Sequence, residues 1–107
     1  MTPQLTGHHI EITPALREFT EKKFARLKPH DEYITSIHVT FNVDKLDQIA
    51  EGQILVPGQT IHAKASNENM YNAIDALVDK LSRQLVKYKE KHTNHSHKKP
   101  PIQDDIE

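Results

Sequence analysis

The chain has 107 residues, 14 Lys and Arg against 15 Asp and Glu, and a formal net charge of −1. That length suits one domain with a modest core. The absence of cysteine excludes a disulfide framework, a thiolate metal site and a cysteine nucleophile.

The opening MTPQLTGHHIEITP has neither a basic n-region nor an apolar h-region, so no signal peptide is expected. No stretch approaches the roughly 18 apolar residues of a membrane span. The expectation is a soluble cytoplasmic protein with no membrane partner. Residues 4–7 read as a short strand punctuated by Gly7. Thr13-Pro14 is a helix start, because Thr caps the free N–H groups and Pro suits the first helical position. Leu16, Phe19, Phe24 and Leu27 follow at helical spacing, and Pro29 is expected to stop the helix.

In residues 36–44, SIHVTFNVD, Ile37, Val39, Phe41 and Val43 alternate with polar residues. That is the pattern of a half-buried strand. After a polar turn at residues 45–47, residues 49–56 read as a second such strand, with Ala50, Gly52, Ile54 and Val56 on one face. Pro57-Gly58 occupies the central positions of a type II turn. Residues 60–66 form the next strand, with Ile61, Ala63 and Ala65 inward. Short connections make these three strands an antiparallel meander. Cap residues at 66–69 precede a long helix over about 70–91, where Ile74, Leu77, Val78, Leu81, Leu85 and Tyr88 share a stripe. Residues 92–107 hold only Ile102 and Ile106 as apolar residues and are expected to be a disordered tail. Residues 1–91 then form a β-α-β-β-β-α domain of the α+β class. It is a two-layer sandwich, a four-stranded sheet with both helices on one face.

The near-zero net charge hides a sorting by segment. Residues 14–28 carry five Lys and Arg against two acids, and residues 69–91 carry five against three. The rest of residues 1–91 holds Lys45 and Lys64 against seven acids. Basic helices on an otherwise acidic domain create an oriented field that favours docking one face on a polyanion. Lys80, Arg83, Lys87 and Lys91 fall within a helical stripe about 80° wide, displaced from the core stripe. Like charges four residues apart cost a few tenths of a kcal/mol, roughly 0.2–0.5. The helix dipole offsets this for Lys87, Lys89 and Lys91 near the C-terminus, but not for Lys80 and Arg83. The first helix adds Arg17, Lys22, Lys23, Arg26 and Lys28, with Lys23 snorkelling along the apolar stripe. Rows of Lys and Arg grip phosphates and read shape more than sequence. Only Phe41 among the aromatics lies in a strand, on its apolar face, so base stacking on a sheet platform is not expected.

Two other classes compete. His92, His95 and His97, with His8-His9, could hold a transition metal weakly, but no fixed carboxylate or thiolate accompanies them, and no metal or other cofactor is expected. Asp75 and Asp79 lie four apart like a catalytic carboxylate pair, but the adjoining Lys80 and Arg83 make charge balance the better reading. There is no glycine-rich phosphate loop and no metalloprotease helix motif, so no enzymatic activity and no small-molecule substrate are expected.

Residues 69–91, NMYNAIDALVDKLSRQLVKYKEK, closely resemble the last helix of the short bacterial ribosome hibernation promoting factors. The carriers are the Met-Tyr pair, the Ala-Ile-Asp step and the Lys-Leu-x-Arg-Gln-Leu run. ITPALREF at residues 12–19 and KFARL at residues 23–27 are similar to that family's first helix, and GQTIHAKAS at residues 58–66 to its last strand. The resemblance implies a fold like a double-stranded-RNA-binding domain. It implies binding in the decoding channel of the small ribosomal subunit, where the protein blocks tRNA and mRNA and silences translation in stationary phase or stress. The rRNA-binding residues it implies are Arg17, Lys22, Lys23, Arg26, Lys28, Lys80, Arg83, Lys87 and Lys91. The implied partners are the small subunit and the whole ribosome, with a monomer off the ribosome. The shortest members promote ribosome dimers and end soon after this helix. The related translation inhibitors oppose dimers and carry an acidic tail, and here Asp104, Asp105 and Glu107 close the chain.

Overall fold

The computed structural model describes residues 2–93. In chain order it has β1 (Gln4–His8), α1 (Pro14–Phe24), a 3₁₀ segment (Ala25–Tyr33), β2 (Ser36–Asp44), β3 (Asp47–Val56), β4 (Gln59–Asn67) and α2 (Met70–Thr93). The residues from 94 on, which include most of the segment read as a tail, lie outside the described residues.

Side-chain alternation builds the sheet. Its order is β1-β2-β3-β4. β1 runs parallel to β2, a pairing that needs a crossover, here supplied by α1 and the 3₁₀ segment. The β2–β3 and β3–β4 pairs are antiparallel, which makes the expected meander. One face carries Ile37, Val39, Phe41, Ala50, Ile54, Val56, Ile61, Ala63 and Ala65, all buried. Val43, expected to join them, is half-buried near the end of β2. The other face is polar and open. One row of it pairs Gln4, His38, Gln53 and His62, and the next pairs Thr6, Thr40, Glu51 and Lys64.

Both tight turns follow from backbone chemistry. Asp44 pairs with Asp47 across Lys45-Leu46, where Lys45 takes a φ of 59°. Gly58 has a φ of 87°, as the second central residue of a type II turn requires.

The helices cover the apolar face from one side. Thr13 caps α1, its Oγ1 accepting from the Leu16 N–H at 3.1 Å. Asn69 caps α2, its Oδ1 accepting from the Tyr71 N–H at 2.7 Å. Ile74, Leu77, Val78 and Leu81 are fully buried, with Leu85 and Tyr88 close behind. Leu16, Phe24 and Leu27 join the same core.

Pro29 does not stop the helical path where the sequence suggests. The α-helix ends at Phe24 and the chain continues as a 3₁₀ helix with Pro29 inside it. Pro29 has no N–H to give the Ala25 carbonyl, and its ring disfavours the α conformation at Lys28. The chain answers by tightening to i→i+3 bonding, which keeps Leu27 fully buried. At the other end α2 reaches Thr93, two residues past the expected boundary at Lys91.

β3 meets α2 at Gly52. A Cβ there would lie 2.9 Å from Leu81 Cδ1 and 3.4 Å from Leu77 Cδ2, and both leucines are fully buried. Gly52→Val should therefore lower unfolding stability by about 1–3 kcal/mol, the usual effect of overpacking a core. Urea denaturation of the two proteins measures it, and an unchanged midpoint would contradict the close approach.

Candidate nucleic-acid interface

The roll of α2 on the sheet decides where its charges go. Tyr88 donates its hydroxyl to the Pro57 carbonyl at 2.8 Å. Gln84 Nε2 donates to the His62 carbonyl and Lys80 Nζ to the Lys64 carbonyl, each at 2.8 Å. One flank of α2 is thereby laid along the edge strand β4. The other flank meets α1, where Phe19 and Tyr71 pack edge to face with ring centres 4.7 Å apart.

Three cations gather at the α1–α2 seam. Lys23 Nζ lies 3.4 Å from Asp75 Oδ1 and 5.5 Å from the centre of the Phe19 ring. It is half-buried, as the snorkelling expectation has it. Arg26 and Arg83 both reach Asp79, at 3.7 Å and 2.9 Å. Asp75 and Asp79 thus balance charge, and they do so with cations from both sides of the seam. Lys22 is exposed on the outer surface of α1. Lys87 and Lys91 line a shallow hollow with Gln59, Gln84 and Tyr88.

Two of the expected residues stand apart. Arg17 lies on the flank of α1 away from Phe19 and Lys23, with Glu21 Oε2 at 3.9 Å. Lys28 lines a groove with Thr2, Pro3, Glu21 and Asp31 on that same side. The other seven form one surface, from Lys22 across the seam to Lys91. Among the described residues, Lys22, Lys87 and Lys91 enter no ion pair with a carboxylate.

The acids outside the helices are not spread evenly. Asp44 and Asp47 face each other at the β2–β3 turn. Glu11 follows β1 and Glu68 follows β4 at that same end of the sheet. The basic C-terminal turns of α2 lie at the other end, beside Pro57, where Asp31 and Glu32 offset part of their charge. The domain is therefore polar along the sheet as well as across it.

Gln84 and Tyr71 enter the sequence reading only as carriers of the family resemblance and not as site residues. Gln84 follows Lys80 by four residues, which puts both on one flank, but its role shows only once β4 is in place. Tyr71 is 40% exposed and offers an aromatic surface next to Lys23. His92, His95 and His97 fall where no side chain is described. Among the described residues no group of three or more His, Cys, Asp or Glu could hold a metal ion. No helix described is long and apolar enough to cross a membrane.

Residues 4–93 match the family described as sigma 54 modulation protein / S30EA ribosomal protein, and the chain belongs to it. The ribosome hibernation promoting factor of Klebsiella oxytoca is 44% identical over 95 residues, covering 89% of this chain and 100% of the relative. That of Azotobacter vinelandii is 46% identical over 91 residues, covering 85% of each. Among solved structures, a ribosomal subunit interface protein from Coxiella burnetii is 45% identical with a TM-score of 0.78, covering 83% of this chain and 98% of that one. The N-terminal domain of Thermus thermophilus Protein Y is 32% identical with a TM-score of 0.73, covering 79% of this chain and 94% of that one.

A half-buried imidazole also feels the charge of the basic end of α2. Among the described residues His30 Nδ1 is buried with no hydrogen-bond partner, and burial, then the charge of Lys89, lowers its pKa below the ordinary value of 6.5. A lowered imidazole pKa means that the unfolded chain binds the proton first. The stability His30 contributes is present above about pH 6.5 and is lost as pH falls through its folded pKa. The melting temperature should therefore fall less between pH 7.5 and 5.5 in His30→Asn than in the unaltered protein. Equal losses would show that His30 does not carry this dependence.

Proposed function

We propose that this protein is a ribosome hibernation factor that works by occupancy. Its helical face docks on rRNA in the decoding channel of the small subunit. The folded domain then fills space that tRNA and mRNA need, which inhibits translation during stationary phase or stress. It acts in the cytoplasm as a monomer off the ribosome, without catalysis, cofactor or small-molecule substrate. The observation that carries this reading is the single basic surface running from Lys22 over the α1–α2 seam to Lys91, opposed by acids at the far end of the sheet. Relatives named as ribosome hibernation promoting factors support it, as does the likeness to a ribosomal subunit interface protein.

The mechanism follows from charge and rigidity. Lys22, Arg26, Lys80, Arg83, Lys87 and Lys91 supply six cations to phosphates, with Lys23 behind them. Phosphate contacts fix register and orientation and carry no base sequence. A core-packed platform holds them at set spacings, so the surface fits one RNA shape and not any strand. Association with small subunits should accordingly weaken steeply with salt. With about six phosphates engaged, log K falls with log salt at a slope of about −4 to −5. Fluorescence titration at several salt concentrations measures it, and a nearly flat slope excludes phosphate-driven docking.

Sucrose-gradient sedimentation with purified ribosomes tests the placement of the surface. Lys80→Glu with Arg83→Glu should abolish co-migration while the fold is retained, because each reversal replaces a phosphate contact with a repulsion. Arg17→Glu with Lys28→Glu, on the other flank of α1 and in the 3₁₀ segment after it, should change co-migration little. Wild-type sedimentation of the first pair would sink the assignment. The same gradients with the chain cut after Thr93 assign the tail: a ribosome-dimer peak from the cut form alone makes residues 94–107 an element that opposes dimers.

A further inference from the structure

One carboxylate stands between two guanidiniums at the centre of the basic surface. Asp79 Oδ2 lies 2.9 Å from Arg83 Nη2, and its Oδ1 lies 3.7 Å from Arg26 Nη2. Arg83 is on α2, one turn from Asp79, whereas Arg26 comes from the 3₁₀ segment that follows α1. The side chains of Arg26, Asp79 and Arg83 are 48%, 45% and 76% exposed, so these pairs do little for stability. A surface selected only to attract polyanions is worse for Asp79, which cancels one charge where attraction should be greatest.

Geometry supplies the reason for the acid. Two free guanidiniums on neighbouring helices repel and splay apart. A carboxylate between them holds both in place, and each planar fork has five N–H donors, more than Asp79 can take. Each arginine can therefore keep Asp79 and receive a phosphate on its outer side. A loose strand that settles over the seam meets the negative charge of Asp79. A folded RNA that presents phosphates on both sides of the seam does not.

We infer that Asp79 is the specificity-determining positioning residue of this surface: it holds Arg26 and Arg83 in place for two phosphates of a folded RNA and weakens binding to unstructured RNA. The inference rests on the RNA-binding reading above. It concerns selectivity, which net charge alone does not provide.

The test compares full-length protein with Asp79→Asn and Asp79→Glu, at one salt concentration, on purified small ribosomal subunits and on poly(U). Asp79→Asn keeps the shape and removes the charge. It should bind poly(U) about two- to threefold more tightly and small subunits about fivefold more weakly, with an unchanged melting curve, since an exposed pair contributes little to folding. Asp79→Glu, which restores the carboxylate, should return the ratio of the two affinities towards that of the unaltered protein. If Asp79→Asn strengthens both or weakens both, or leaves both unchanged, Asp79 is a charge without a positioning role and the inference falls. If the unaltered protein itself fails to bind small subunits, the proposed function falls, and this inference with it.

Discussion

The seating of α2 on the bare backbone of Gly52 governs the rest of the molecule. Leu77 and Leu81 settle over a position without a side chain, so the helix comes close to the sheet and its roll is fixed. Ala73, Ile74, Leu77, Val78 and Leu81 vanish from solvent together. Each large apolar side chain so buried is worth about 1.5–3 kcal/mol, whereas an exposed ion pair is worth about 0–1. The core therefore sets the roll, and the charged residues go where it sends them. Asp75 and Asp79 arrive beside α1, Lys80 and Gln84 over β4, and Arg83 and Lys87 between. An interface of this kind can be altered residue by residue without threatening the platform that carries it.

Much of that platform is legible from residue type and spacing. Period-two alternation at Ile37, Val39 and Phe41 places β2 and its inner face. Pro57-Gly58 gives the turn, and the stripe from Ile74 to Tyr88 gives α2. These signals are local and strong, because each is a direct consequence of strand or helix geometry. Pro29 shows where local signals stop. Its missing N–H forbids an α-helix there but does not forbid a tighter one, and the burial of Leu27 rewards continuation. The spacing of Leu27 after Phe24 reports that it enters the core, but no pattern in residues 25–33 reports that a 3₁₀ segment carries the chain past Pro29.

The candidate surface is legible in kind and not in arrangement. Charge sorting picks out both helices, and spacing picks out the stripe on α2. Neither says that Arg26 and Arg83 share a carboxylate, because the Arg26–Asp79 contact joins residues 53 positions apart. Arg17 and Lys28 share the sign of their neighbours, yet α1 and the 3₁₀ segment after it turn them towards Glu21. Residue type predicts attraction to phosphate. Only packing determines which cations one ligand can touch at once.

Lys80 shows how closely fold and surface are joined. β4 is an edge strand, and an exposed edge invites pairing with other chains. Lys80 and Gln84 lie across that edge and take the carbonyls of Lys64 and His62. An ammonium has three donors, so the bond to Lys64 leaves Lys80 able to meet a phosphate. Shielding the edge costs the surface little charge, and it holds this cation still. A lysine free in solvent would lose side-chain entropy on binding. Lys80 has already lost part of it in the folded protein, and to that extent the edge strand prepares the surface for its ligand.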